Sequence, residues 1–166
     1  MNLIRVRGTN LTFAGQHYRC AIGKGGFSGD KREGDGCTPV GTFALRECWY
    51  RLDRLPPPET GLLLRIIHEN DGWCDDSDSA DYNTHVKLPY GHSHEHLWRD
   101  DHVYDLIVPM GYNDDPVITG KGSAIFMHVA KPEYAPTEGC VALALEDLLE
   151  IITDLSGETH IKIEGA

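Results

Sequence analysis

The chain has 166 residues, enough for a single domain with a sizeable core, since a domain of about 150 residues buries roughly 70% of its extended surface. Its 15 Lys and Arg against 26 Asp and Glu, a net charge of −11 at pH 7, argue against nucleic acid or an anionic membrane surface as partner, because like charges repel within a Debye length. Five cysteines, Cys20, Cys37, Cys48, Cys74 and Cys140, form an odd set with no C-x-x-C pair; this excludes a disulfide framework and a zinc ribbon and fits free thiols in a reducing compartment.

In chain order, Leu3 to Val6 alternates as a strand and carries no apolar run long enough for a signal peptide or anchor. The expected location is therefore the cytoplasm, or the periplasm if a signal segment has been removed. Leu11 to Ile22 continues as strands around turns at Gly8-Thr9-Asn10 and Ala14-Gly15-Gln16. The segment Gly23-Lys24-Gly25-Gly26-Phe27-Ser28-Gly29-Asp30 is dense in glycine but lacks Gly-Lys-Ser/Thr and a following helix pattern, so it reads as a flexible surface loop, not a phosphate cradle. Val40 to Tyr50 and Leu62 to His68 are expected strands, joined across the rigid Pro56-Pro57-Pro58 connector. Asp71 to Asn83 reads as a long acidic loop without the glycine and terminal glutamate of a calcium loop. Within it Trp73, Tyr82 and Asn83 are candidates to reach a ligand, since aromatic and amide groups on long loops often fix one.

Gly91-His92-Ser93-His94-Glu95-His96, with His85 upstream, is polar and reads as loop. Its imidazoles are zinc-ligand types, but the His-Glu-x-x-His arrangement is absent, and no metal or cofactor is expected. Next, Arg99 beside Trp98 is a candidate to take a substrate carboxylate through its planar guanidinium; pairing with Asp100, Asp101 or Asp105 is the competing reading. Tyr104 to Pro109, Pro116 to Thr119 and Ala124 to Ala130 are expected strands. Leu145, Leu148, Leu149, Ile152 and Leu155 recur at helical spacing until Ser156-Gly157 ends the pattern, and Thr159 to Ile163 returns as a strand. Many strands and one main helix predict a mainly β fold, a sandwich or partly closed barrel with the helix packed on it.

The chemistry concentrates in Gly122-Ser123-Ala124-Ile125-Phe126-Met127-His128 and Thr137-Glu138-Gly139-Cys140-Val141, separated by a loop with Pro132 and Pro136. His128 on an apolar strand and Cys140 just past the loop supply base and nucleophile for thiol acyl transfer, with a thiolate made abundant by the imidazole. Gly139 permits a sharp turn that aims backbone N–H groups at the carbonyl under attack.

These residues resemble the signature of the L,D-transpeptidase (YkuD-type) catalytic domain, and Thr38-Pro39-Val40-Gly41-Thr42-Phe43 is similar to the family's Thr-Pro-x-Gly-x-Phe hairpin. The resemblance implies that Cys140 is the nucleophile and His128 the base, and that the N–H groups of Glu138, Gly139 and Cys140 form the oxyanion hole, with Thr137 facing substrate. It implies as partners peptidoglycan stem peptides or soluble muropeptides. Glu138 stands where the family has histidine, and Ala142 where Arg or Asn is common; the second change leaves open how the loop is braced, and Arg99 is a candidate replacement. The resemblance implies a cysteine acyl-enzyme that releases terminal D-alanine from a stem peptide; the expected cytoplasmic location favours water as acceptor and hence an L,D-carboxypeptidase, with L,D-transpeptidation and an inactive muropeptide-binding protein as alternatives.

Overall fold

The computed structural model describes residues 2–166. The strands are β1 (Leu3–Arg7), β2 (Asn10–Phe13), β3 (Gln16–Arg19), β4 (Phe27–Ser28), β5 (Thr38–Pro39), β6 (Gly41–Ala44), β7 (Glu47–Tyr50) and β8 (Leu63–Ile66). They continue as β9 (Asp71–Cys74), β10 (His85–Lys87), β11 (His94–His96), β12 (Leu106–Pro109), β13 (Phe126–Val129), β14 (Val141–Leu143) and β15 (His160–Gly165), with one α-helix among the described residues, α1 (Leu145–Thr153), and a short 3-10 helix at Pro132–Tyr134. One five-stranded sheet runs β3-β2-β1-β15-β6 and a second β14-β13-β12-β7-β8; β10-β9-β11 forms a small third sheet, and β4 pairs with β5.

The fold is mainly β and sandwich-like, as expected, and among the described residues no sheet closes into a barrel. Alternation explains the packing. In β15, Ile161 and Ile163 turn inward while His160, Lys162 and Glu164 face water. The principal core joins Ile4, Val6 and Leu11 of the first sheet to Leu106, Val108, Met127, Val129, Val141 and Leu143 of the second, closed by Leu148, Ile151 and Ile152 of α1. Met127 and Val129 go to that core, so the alternate residues Phe126 and His128 turn to the other face of β13. That face carries the site. No helix among the described residues is long and apolar enough to cross a membrane.

Four expectations are corrected. Val40 to Tyr50 is not one strand: the chain breaks at Leu45-Arg46 and passes from one large sheet to the other, with Leu45 fully buried at the corner. Asp71 to Asn83 and the His-rich stretch are not plain loop, because β9 pairs with both β10 and β11 and makes a three-stranded flap of polar residues. Pro116 to Thr119 is loop, held by Asn113, whose side chain accepts from the Ile118 N–H and donates to the Ile118 and Gly122 carbonyls. The glycine-rich segment is not a free surface loop either. A Cβ on Gly23 would stand 2.2 Å from the Gly36 carbonyl oxygen, and that close approach lets the segment clamp the cysteine turn.

Candidate active site

Strand register places the two reactive side chains on one face of the sheet and at one cavity, with no hydrogen bond between them among the described residues. β14 runs parallel to β13 with Met127 opposite Val141 and His128 opposite Ala142, strands about 4.8 Å apart. One residue earlier the chain places Cys140 beside Phe126, whose N–H donates to Cys140 Sγ over 3.4 Å. Cys140 thus shares the face of Phe126 and His128. Both His128 and Cys140 are buried, yet both line one cavity of about 290 Å³ together with Glu95, Arg99, Tyr104, Ser123, Thr137 and Glu138. A space of that size lies at the lower end of those that hold small molecules.

The turn before Cys140 is built by its own side chains. Thr137 Oγ1 donates to the Cys140 carbonyl over 2.7 Å and accepts from the Gly139 N–H over 3.0 Å. Gly139 has φ 140°, and a Cβ there would lie 2.7 Å from the Cys37 carbonyl oxygen, so only glycine fits. The turn therefore uses the Gly139 N–H internally, and the expected contribution of that group to an oxyanion hole is replaced by a role in shaping the turn. Glu138 is exposed and pairs with Lys24 at 2.9 Å on the rim. The small Ala142 is fully buried because it bonds both ways with Ala21, N–H to carbonyl at 2.9 and 2.8 Å. Next to it the Thr137 N–H donates to the Ile22 carbonyl and Lys24 N–H to the Thr137 carbonyl. Residues 21–24 thereby brace the loop, with no Arg or Asn needed at position 142.

The protonation states follow from partners and burial. His128 Nδ1 lies 2.9 Å from the Val129 carbonyl oxygen; a carbonyl only accepts, so Nδ1 carries the hydrogen and Nε2 is the basic atom. Burial pushes the imidazole down to about 4, against a smaller upward pull from the Val129 carbonyl. Burial likewise pushes the Cys140 thiol up to about 12, and Sγ donates to the Ala124 carbonyl over 3.2 Å. The pair therefore rests as neutral thiol and neutral imidazole. The abundant resting thiolate expected from sequence gives way to proton transfer during attack.

Of the residues expected to meet substrate, Arg99 and Thr137 line the cavity; Trp73, Tyr82, Asn83 and Trp98 do not. Tyr82 and Asn83 are buried behind its wall instead. The Tyr82 hydroxyl donates to Glu33 Oε1 at 2.7 Å and accepts from the Gly122 N–H at 2.9 Å. Asn83 Oδ1 accepts from the Ala124 N–H and from Trp73 Nε1, each at 3.0 Å, while Nδ2 donates to the Tyr112 and Asn113 carbonyls. Trp73 packs edge-on against Phe126 with ring centroids 5.1 Å apart. Trp98 lies beneath the Arg51 guanidinium, 3.4 Å from the ring centroid. Arg99 gives Nε and Nη2 to the Asp101 carboxylate at 2.8 and 2.6 Å, so its best carboxylate-binding edge is already engaged. Asn83 fills every donor and acceptor position and fixes the residue whose carbonyl holds the thiol. Asn83→Leu is expected to cost about 2–4 kcal/mol of stability in urea unfolding, because it strands buried N–H and C=O groups. A loss below about 0.5 kcal/mol would contradict this bracing role.

Among the cavity residues that escaped the sequence reading are Lys31, Glu95 and Tyr104. Lys31 is buried and pairs with Asp35 at 2.8 Å. Tyr104 donates to Glu95 Oε1 at 3.1 Å and sets its ring edge-on to His128 with centroids 5.4 Å apart. Period-two alternation through His94-Glu95-His96 was the available signal, since a strand there sends Glu95 to the face opposite both histidines. No group of three or more His, Cys, Asp or Glu side chains among the described residues could hold a metal ion; His85 is instead bonded to the buried Asp71 at 2.7 Å.

No curated protein matches the chain. The family model for the L,D-transpeptidase catalytic domain, YkuD, matches residues 4–163, a span that includes both large sheets, the cavity and the cysteine turn. The chain belongs to the YkuD family of L,D-transpeptidase catalytic domains, enzymes that act on peptidoglycan.

Proposed function

We propose that this enzyme is an L,D-carboxypeptidase that removes the terminal D-alanine from peptidoglycan stem tetrapeptides, acting on soluble muropeptides in the cytoplasm. The observation that carries the reading is the shared cavity of Cys140 and His128 on one face of paired strands. As the Cys140 sulfur attacks the amide carbonyl, its proton passes to His128 Nε2, and the N–H groups of Glu138 and Cys140 stabilise the oxyanion. The imidazolium then protonates the departing amine of D-alanine. His128 next takes a proton from water, which opens the thioester and frees the tripeptide.

Incubation with a disaccharide tetrapeptide, followed by mass spectrometry, tests the reading: free D-alanine and tripeptide are the expected products. Cross-linked dimers would make the enzyme a transpeptidase, and tight binding without turnover would make it a binding module. The pH dependence carries a further expectation. Only neutral imidazole accepts the thiol proton, so kcat stays level from pH 8 to about 5 and falls as pH drops through the lowered value of His128. Stability moves the same way: between about 6.5 and the folded value near 4 the unfolded chain binds the extra proton, so stability rises with pH across that window. A kcat limb near 6.5 would place the base in a wetter setting than this burial allows.

A further inference from the structure

The charged groups on the cavity wall differ in how they are neutralised. Lys31 is held by Asp35, Arg99 by Asp101, and Glu138 by Lys24. Glu95 is part-buried and, among the described residues, has no cation in ion-pair contact; its one side-chain hydrogen bond comes from the neutral Tyr104 hydroxyl to Oε1. No shielded side-chain oxygen or nitrogen among these residues lacks a partner. Oε2 has none and so keeps some exposure, on a residue that lines the cavity. A carboxylate half removed from water without a countercharge carries a desolvation cost that a ligand cation would offset. The same wall carries Glu33 and Asp75, also without an ion-pair partner among the described residues, and the cations Lys31, Arg99 and Lys131; Glu33 and Asp75 are the acids that act on Glu95.

Resting on the acyl-transfer reading of this cavity, we propose that Glu95 is its specificity-determining residue: the carboxylate, steadied by the Tyr104 hydroxyl, binds a primary ammonium group that the substrate carries beside the scissile amide. The register of β11 against β9, with Glu95 opposite Trp73, holds Glu95 in the wall of the cavity that Cys140 also lines. Recognition by charge predicts a pH response. Burial, with a smaller push from Asp75, raises Glu95 to about 7, so ammonium binding strengthens as pH rises through neutrality. The other groups facing it are Tyr104, Arg99, Asp75, Glu33 and Cys140. Tyr104 is raised well above its usual range and Cys140 to about 12, so neither titrates between pH 6 and 8.

The test uses two tetrapeptide stems that differ only in whether the side-chain amine of the diamino acid is free or acetylated, with kcat, KM and acyl-enzyme mass recorded. Wild type is expected to favour the free amine by at least about tenfold in kcat/KM, the worth of one charge-assisted hydrogen bond. Glu95→Gln should cut that preference below about threefold, through KM and not kcat. With no variant at all, KM for the free amine should rise as pH falls from 8 to 6 while KM for the acetylated stem stays level. The proposal is overturned if wild type shows no preference, if Glu95→Gln keeps it, or if the variant loses both substrates equally, which marks a structural role. Failure of wild type to form an acyl-enzyme with either stem would instead overturn the reading on which the proposal rests.

Discussion

Turnover by Cys140→Ser is expected to fall to about 10⁻⁴ of wild type or lower while the fold persists, the scale seen when the nucleophile of a coupled catalytic unit is lost. The reason lies in what the sulfur does at rest and during attack. At rest Sγ donates to the Ala124 carbonyl and accepts from the Phe126 N–H; a hydroxyl can keep both bonds, so the serine variant isolates chemistry from stability. During attack the proton must leave for His128, whose basicity is lowered by burial, and an alcohol, with a far higher pKa than a thiol, will not give it up to so weak a base. Cys140→Ala removes both bonds as well, leaves a buried carbonyl and N–H unsatisfied, and should cost about 1–3 kcal/mol in addition. Mass spectrometry of the intact protein with substrate supplies the check: an acyl adduct on wild type and none on either variant. Substantial D-alanine release by the serine variant would remove Cys140 from the mechanism.

The second large effect is expected at Gly139, which touches no substrate through a side chain. Its φ of 140° is one that L residues rarely adopt, and an added methyl would meet the Cys37 carbonyl oxygen at 2.7 Å and Ile125 Cδ1 at 3.2 Å. Backbone cannot yield as a flexible side chain does, so in Gly139→Ala the turn itself must move. A displacement near 1 Å at the nucleophile costs about 10²-fold in rate, and the strained backbone adds about 1–3 kcal/mol of instability. We therefore expect kcat to drop by about 10²-fold or more with a lower Tm, measured by D-alanine release and thermal unfolding. Equal kcat in the alanine variant would show that the turn has room it does not display here.

The parts of the fold that were legible in sequence are those written in local periodicity. Alternating Ile161 and Ile163, the apolar run around His128 and the spaced leucines of α1 all specify an element and its buried face. Legibility failed where polar residues form strands. His94, Glu95 and His96 pair with β9 and only Glu95 turns to the cavity lining, so the stretch has no apolar pattern and reads as loop. It failed again where a side chain serves backbone far along the chain: the backbone partners of Asn83 lie 29, 30 and 41 residues away, at Tyr112, Asn113 and Ala124, and no local periodicity at positions 73–83 indicates that they face inward.

By itself the sequence determined the chemical types and their order: a histidine in a buried strand, a proline-bearing loop, a glycine and then a cysteine. It also carried the apolar rhythm that makes sheets and one helix. Only the tertiary structure decided that burial disfavours the charged forms of both thiol and imidazole, that Gly139 shapes the turn with its N–H already engaged, and that Glu95 lines the cavity with no ion-pair partner among the described residues. Those properties depend on burial and on partners brought in by long-range pairing, and the free energy of a charge is set by its surroundings in space, which the order of residues along the chain does not state.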